Sequence, residues 1–357
     1  MNAVPDRQDE DAPLHPAANS GLVGHEGAER SFLDAFDSGR LAHAWLITGP
    51  RGIGKATLAY RFARHILAQG NEEAGGLFGD ALPVDKGGGG LYLAPDHPVF
   101  MRIAAGGYAD LRVVTRTINE KTGKLRTEII VEDVRSIADF MSLTPAEGGW
   151  RVVIIDCADE MNRHAANAVL KVLEEPPKKA LLLLISHNPG RLLATIRSRC
   201  LKMPLSPLPE DTVVRLLLEH HPDMNPEDAT DLALLAEGSI GRALELEAEG
   251  GVELYRELTG LLDRLPDLDI GAMHDLSGRL GKAGADSAFH TFGDLLRAWL
   301  GRRIVELSKT SNASNLDRWL EVWEKINHLL DRTDAVNLDR RQTVVGIFLA
   351  LQGAAKP

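Results

Sequence analysis

The chain has 357 residues, a length that at about 150 residues per domain predicts two or three domains with hydrophobic cores of their own. Apolar residues make up 44% and charged residues 25%, which excludes collagen-like, mucin-like and wholly disordered chains. The net charge of −11 divides into −3 over residues 1–20, +2 over 21–205 and −10 over 206–357. Wrapping nucleic acid by bulk electrostatics is excluded by that distribution, because counterion release needs clustered Lys and Arg. The longest unbroken aliphatic run, Leu181 to Ile185, falls far short of the roughly 20 residues of a membrane span. With no basic-then-apolar start, the expectation is a cytoplasmic protein without a membrane segment. The two cysteines, Cys157 and Cys200, cannot by themselves complete a structural zinc site, and no disulfide is expected.

In chain order, residues 1–20 combine prolines and acids without an apolar period and read as a flexible leader. A short helix is predicted over 29–36, and Ala44-Trp45-Leu46-Ile47-Thr48 reads as a buried strand. A glycine loop and a helical stretch over 58–69 follow. Residues 70–90 are expected to form a long mobile loop. Around Lys121-Thr122-Gly123-Lys124 the alternation of residues 111–131 predicts a β-hairpin with a basic tip. A helix over 132–140, a strand over 152–156, a helix over 163–174 and a strand over 180–186 complete a β and α alternation that argues for a parallel sheet with helices on both faces. Beyond about residue 205 the pattern is helical throughout, with helices expected over 210–220, 226–236, 240–248, 253–265, 287–307, 316–331 and 340–351.

Gly49 to Lys55 matches G-x-x-x-x-G-K, the Walker A loop, in which glycines let backbone N–H groups approach phosphates while the lysine meets the β and γ phosphates. A strand before it and a helix after it are the order such a cradle needs, and the helix end adds its own positive dipole. Ala56 departs from the motif, since the usual Ser or Thr there coordinates Mg²⁺. Thr57 keeps a hydroxyl, but one helical step of about 100° aims it elsewhere, within reach of an α-phosphate at most. Asp156 ends an apolar strand as a Walker B aspartate does, and Cys157 follows it. Asp159 and Glu160 read as solvated acids at a helix start. The basic residues Arg112, Arg116, Lys121, Lys124 and Arg126 fit either a DNA-facing hairpin or an edge strand protected by charge. His220 and His221 read as a solvated helix end.

The helix sequence A-N-A-V-L-K-V-L-E-E-P-P (residues 166–177), the tripeptide Ser198-Arg199-Cys200 and Gly238-Ser239-Ile240-Gly241-Arg242 carry a resemblance. With the glycine loop, they resemble the clamp-loader branch of the AAA+ ATPases, and within it the delta-prime subunit family of bacterial DNA polymerase III, over about residues 25–245. The family often carries a four-cysteine zinc module after its first helix, and residues 70–95 hold no cysteine, so no zinc is expected.

The resemblance implies an AAA+ P-loop domain over residues 21–205, a small helical lid over 206–250 and an all-α collar for oligomerisation over 251–357. Hydrolysing members of the superclass carry a glutamate where Cys157 stands, so ATP binding is expected and ATP hydrolysis by this chain is not. Gly49, Gly52, Gly54, Lys55, Thr57 and Asp156 are the implied nucleotide-side residues, joined by Asn188 near the sensor-1 position and Arg242 at sensor-2. Arg199 is implied to reach across a subunit boundary as an arginine finger for a neighbour's ATP. An arginine paired with a carboxylate is the alternative for Arg199, and a structural ion pair is the alternative for Arg242. Implied partners are the other loader subunits (tau/gamma and delta), and through the complex the sliding β clamp and primed DNA. Two rivals remain at this point: an ATP-hydrolysing AAA+ subunit, and a stand-alone P-loop kinase or regulator. In the collar, Leu295, Leu296, Trp299, Leu300 and Ile304 offer apolar surface either to a ring interface or to an ordinary core.

Overall fold

Runs such as Val152-Val153-Ile154-Ile155 and Leu181 to Ile185 have no polar alternation, so both faces of their strands must be covered. The computed structural model, which describes residues 15–73, 90–146, 149–310, 313–336 and 338–356, shows how. Strands β1 (Ala44–Thr48), β2 (Leu111–Val114), β3 (Arg151–Ile155), β4 (Ala180–Ser186) and β5 (Leu201–Pro204) form one five-stranded sheet in the order β2-β3-β4-β1-β5. All pairings are parallel, with Ala44 opposite Leu182 and Trp45 opposite Leu201 on the two sides of β1. Every residue of β3 and β4 is buried.

Alternation along each strand divides the core between two faces. Trp45, Ile47, Val152, Ile154, Leu181 and Leu183 point to the side of helices α1 (Glu26–Asp37), α2 (Lys55–Glu73) and α3 (Pro98–Ala104), where they meet Phe32, Leu58, Phe62 and Ile66. Leu46, Val153, Ile155, Leu182 and Leu184 point to α4 (Val131–Ser142) and α5 (Arg163–Glu174), meeting Val134, Ile137, Val169 and Leu173. Asn162 caps α5 by accepting from the Ala165 N–H at 2.9 Å, which fixes where that helix starts. A four-residue helix, α6 (Ala194–Arg197), leads into β5. This is the expected α/β architecture, a parallel sheet with helices on both faces.

The described residues fall into two compact units, Met1–Pro209 with Ser239–Gly241, and Glu210–Gly238 with Arg242–Pro357. The second is all-helical: α7 (Glu210–His220), α8 (Pro226–Ala236), α9 (Ile240–Ala248, from Arg242 onward), α10 (Gly251–Leu262), α11 (Ile270–Leu280), α12 (Asp286–Thr310), α13 (Ala313–Val336) and α14 (Arg340–Ala355). Its core holds Phe289, Phe292, Leu295, Leu296, Leu300, Ile347 and Phe348, all at most 1% exposed. Leu295, Leu296 and Leu300 thus fill their own unit's core rather than offering surface, while Trp299 and Ile304 are half-buried.

Several expectations change on the structure. The hairpin expected over 111–131 is much shorter: 111–114 form β2, which pairs in parallel with β3, and only 117–126 turn back antiparallel around Lys121–Lys124, with Ile118 bridged to Leu125, the Arg126 N–H donating to Thr117 O at 2.9 Å and the Asn119 N–H to Lys124 O at 2.8 Å. The physical reason is burial: Val114 is buried beside β3, whereas Ile118 and Leu125 are 62% and 55% exposed, and a two-stranded ribbon without a buried face has little to stabilise it. Residues 15–20 of the expected leader pack on α2, where Arg64 donates to the Asn19 carbonyl at 2.8 Å and Arg61 to the Ser20 carbonyl at 2.6 Å. Residues 70–73 of the expected loop belong to α2, which ends at Glu73; residues 1–14 and 74–89 lie outside the described residues.

Phe62 stacks on Phe32 with ring centroids 3.8 Å apart, and Trp45 lies 5.4 Å from Phe32. These rings seat α2 on the sheet. Phe62→Ala should lower the opening free energy of the α/β unit by about 3–5 kcal/mol, measured by amide hydrogen exchange of β1 and β4.

Candidate nucleotide-phosphate site

The loop from Gly49 to Gly54 leaves the C-terminal end of β1, the edge at which open parallel sheets bind ligands. Gly49 has φ +148°, and a Cβ there would lie 2.6 Å from the Leu205 carbonyl oxygen, so β5 closes on the loop too tightly for any side chain. Each carbonyl of the loop meets a donor. The Lys55 ammonium donates to Gly49 O at 2.7 Å and to Pro50 O. Ser239 Oγ donates to Arg51 O at 2.8 Å, and the Gly241 N–H to Gly52 O at 2.9 Å. His25 Nε2 donates to Ile53 O at 2.6 Å, and the Leu58 N–H to Gly54 O at 2.9 Å. With its acceptors turned to the protein, the loop has its N–H groups left to present to an anion.

Lys55 is 3% exposed. Burial lowers its ammonium to about 8, partly offset by the neighbouring Asp156 and Asp159 carboxylates. Cys157 Sγ lies 3.0 Å from His187 Nε2 and 3.4 Å from Asp156 Oδ1. Burial first, then Asp156, pushes the thiol up, so it is neutral. His187 is lowered by burial and by Lys55 and is neutral as well. Ala56 stands where the metal-binding hydroxyl would be, and the Thr57 side chain is buried.

Asp159 and Glu160 differ from the solvated reading. Asp159 accepts the His187 N–H at 3.0 Å and the Asn188 N–H at 3.1 Å, tying the loop after β4 to the turn after β3. Burial pushes its carboxyl up, but those N–H donors outweigh it and hold the group below the usual range. Glu160 pairs with Arg116 at 2.8 Å. Asn188 is exposed, and its Oδ1 accepts the Gly190 N–H at 3.2 Å.

Arg199 lies just beyond α6, where it pairs with Glu174 at 2.7 Å and donates to Thr195 O at 3.0 Å; 35% of its side chain stays exposed. The adjacent Cys200 is buried, its thiol pushed up to about 12 by burial. The structure therefore brings together Gly49, Gly52, Gly54, Lys55, Asp156, Cys157 and His187. Arg199 instead pairs with Glu174 at the end of α5, and Arg242 belongs to the helical unit. Sequence reasoning missed the Cys157–His187 contact and the hold of His25 and Ser239 on the loop; Gly238-Ser239-Ile240-Gly241-Arg242 stands out in the sequence only for the family resemblance and for Arg242. Among the described residues no group of three side chains suits a metal ion, and no helix is long and apolar enough to cross a membrane.

The Lys55 geometry fixes a pH dependence. Phosphate binding needs the ammonium protonated, so affinity for ATP or ADP should fall as pH rises through about 8. Calorimetric titrations between pH 7 and pH 9 check this, and an affinity unchanged across that range would contradict it.

A family model described as "DNA polymerase III, delta subunit" matches residues 97–209, from the approach to α3 through β5. The chain is 37% identical over 210 residues to DNA polymerase III subunit delta' of Pseudomonas aeruginosa, a match covering 58% of this chain and 57% of that one. It is 31% identical over 235 residues to DNA polymerase III subunit tau of Escherichia coli, covering 65% of this chain and 32% of the relative. With subunit gamma/tau of Mycobacterium tuberculosis the identity is 32% over 203 residues, covering 57% and 31%. The chain thus spans a little over half of the delta' relative and about a third of the tau and gamma/tau relatives. Set beside the glycine loop on its parallel sheet, these matches show a chain similar to DNA polymerase III delta' and tau/gamma subunits over its sheet-bearing part.

Proposed function

We propose that this chain serves as a delta'-type subunit of a bacterial DNA polymerase III clamp loader, in the cytoplasm, holding nucleotide without turning it over. The observation that carries the reading is the unequal state of its site. The phosphate loop is fully formed around Lys55, while the positions for the metal hydroxyl and for the water-polarising acid hold Ala56 and a neutral Cys157 bonded to His187. Loop N–H groups and Lys55 suffice to bind a phosphate chain, because neither depends on the missing hydroxyl. Phosphoryl transfer to water depends on metal placement and water orientation, and both parts are lacking. Gly49, Gly52, Gly54, Lys55 and Thr57 would face or support the phosphates. Asp156, Asn188 and Arg242 belong to the same proposal as flanking polar residues.

In this reading the chain contributes to chemistry elsewhere. Arg199 would complete the ATP site of a neighbouring tau/gamma subunit, since a planar guanidinium offers several donors and a fixed charge to a developing phosphoryl anion. The ion pair with Glu174 restrains it only weakly, because a pair this exposed is worth about 1 kcal/mol or less. Residues 206–250 would act as a small lid. Residues 251–357 would act as a collar joining tau/gamma and delta in a ring that loads the sliding β clamp on primed DNA.

Two measurements test the reading. The purified chain should bind ATP and ADP at millimolar concentration and hydrolyse ATP negligibly; turnover near 1 per second, the low end of ordinary enzymes, that Lys55→Ala abolishes would overturn it. In a reconstituted complex, Arg199→Ala should leave assembly intact while hydrolysis at one neighbouring site falls about 10³-fold. Total ATPase would then drop partly and clamp loading more, with Arg199→Lys a poor rescue. Normal rates in both assays would reduce Arg199 to a partner of Glu174.

A further inference from the structure

Ser239, Gly241 and His25 bond to three successive carbonyls of the phosphate loop, those of Arg51, Gly52 and Ile53. A peptide unit is planar and trans, so its N–H points opposite to its C=O. Holding these three carbonyls outward therefore holds the N–H groups of Gly52, Ile53 and Gly54 on the opposite side, inward. Gly52 and Gly54 have φ +76° and +101°, and glycine tolerates either sign of φ, so the peptides around them turn over readily when nothing restrains them. A turned peptide would put a carbonyl oxygen where a phosphate oxygen must sit, replacing attraction by repulsion.

We propose that Ser239, Gly241 and His25 are positioning residues for phosphate binding, locking three consecutive peptide planes of the loop with their N–H groups toward the polyphosphate of a nucleoside di- or triphosphate. The inference rests on the nucleotide-binding reading above and assigns to the segment before Arg242 a role independent of that arginine. Two observations set these contacts apart from incidental ones. Ser239 and His25 are 4% and 5% exposed, so water does not compete for the carbonyls they hold. Gly241 touches the loop backbone: a Cβ on it would lie 2.8 Å from Gly52 Cα and 3.2 Å from Gly52 O. No flexible side chain is there to yield, and any larger residue must displace the loop. Because Ile53 O accepts, His25 carries its proton on Nε2.

The test uses the full-length chain with Ser239→Ala, Ser239→Thr, Gly241→Ala and Lys55→Ala. Calorimetry with ATP and ADP gives affinity, and relaxation-dispersion NMR of the Gly52 and Gly54 amides reports microsecond to millisecond turning of the loop without nucleotide. Ser239→Ala should weaken nucleotide binding about five- to tenfold, the equivalent of one lost hydrogen bond, and introduce exchange at both amides while the melting temperature stays put. Ser239→Thr should restore both. Gly241→Ala should weaken binding by more than Ser239→Ala does. Lys55→Ala should abolish binding without adding exchange at Gly52 and Gly54. Unchanged affinity together with quiet loop amides in Ser239→Ala would overturn the inference. Failure of the unsubstituted chain to bind either nucleotide would sink the nucleotide-binding reading and with it the stated purpose of the lock, whereas the NMR result alone decides whether the lock exists.

Discussion

An ammonium group held almost out of water at the end of a buried strand has to find oxygen atoms nearby, and the site is arranged around that requirement. Lys55 finds them in its own loop, at Gly49 and Pro50. The loop can spare those two carbonyls only because its other four are claimed by Ser239, Gly241, His25 and Leu58. Removing a buried charged group from water costs several kcal/mol before any compensation, and here burial lowers the lysine to about 8 rather than neutralising it outright. The ammonium is thus stored in contact with weak neutral acceptors. A polyphosphate offers charged acceptors in their place, so exchanging one set for the other strengthens each hydrogen bond the lysine makes.

That storage depends on the sheet. Trp45 and Ile47 bury one face of β1 and Leu46 the other, so the strand end cannot shift without opening two cores. Because β1 lies between β4 and β5 in parallel register, the loop emerges beside Ser186-His187 on one side and Leu205 on the other. Cys157, His187 and Asp159 come within reach of Lys55 for that reason alone: they follow β3 and β4, whose C-terminal ends share the same edge. Asp159 makes this junction firm by accepting from the backbone after β4.

Elements with long uniform patterns were legible in the sequence. β1, β4, α5, α7, α8 and α9 have the expected bounds, because their apolar periods are unbroken and capped by Asn162, Asn225 or proline. β5 was not legible, since only Met203 of its four residues is buried and an edge strand that short carries no period. α3 was missed for its brevity, and α11 because Gly271, Ser277 and Gly278 break up its helical pattern. The glycine loop announced itself through spacing, but its supports did not. His25 and Ser239 lie 28 and 188 positions from the residues they hold, a separation that no local pattern encodes. Asp159 read as a solvated acid because sequence gives charge and position but not which N–H groups a distant strand will bring.

Two of the segments that carried the family resemblance meet in one contact. Glu174 is the last residue of α5, inside the run Val172-Leu173-Glu174-Glu175-Pro176-Pro177, and Arg199 is the centre of Ser198-Arg199-Cys200; they pair at 2.7 Å. The prolines end α5 so that its terminal carboxylate faces the segment after α6, while Cys200 and Ile196 anchor that segment in the core. The guanidinium is therefore carried on rigid backbone but held by a pair that solvent weakens. Arginine placed in this way keeps one rotamer region without being buried, at little energetic cost to remove it from Glu174. A phosphoryl group, with more charge and more oxygens than a carboxylate, would outcompete Glu174 for the same planar donors. In the proposed role, the carboxylate alternative and the arginine finger are then two positions of one side chain, with Glu174 holding Arg199 extended until a neighbour's nucleotide takes its place.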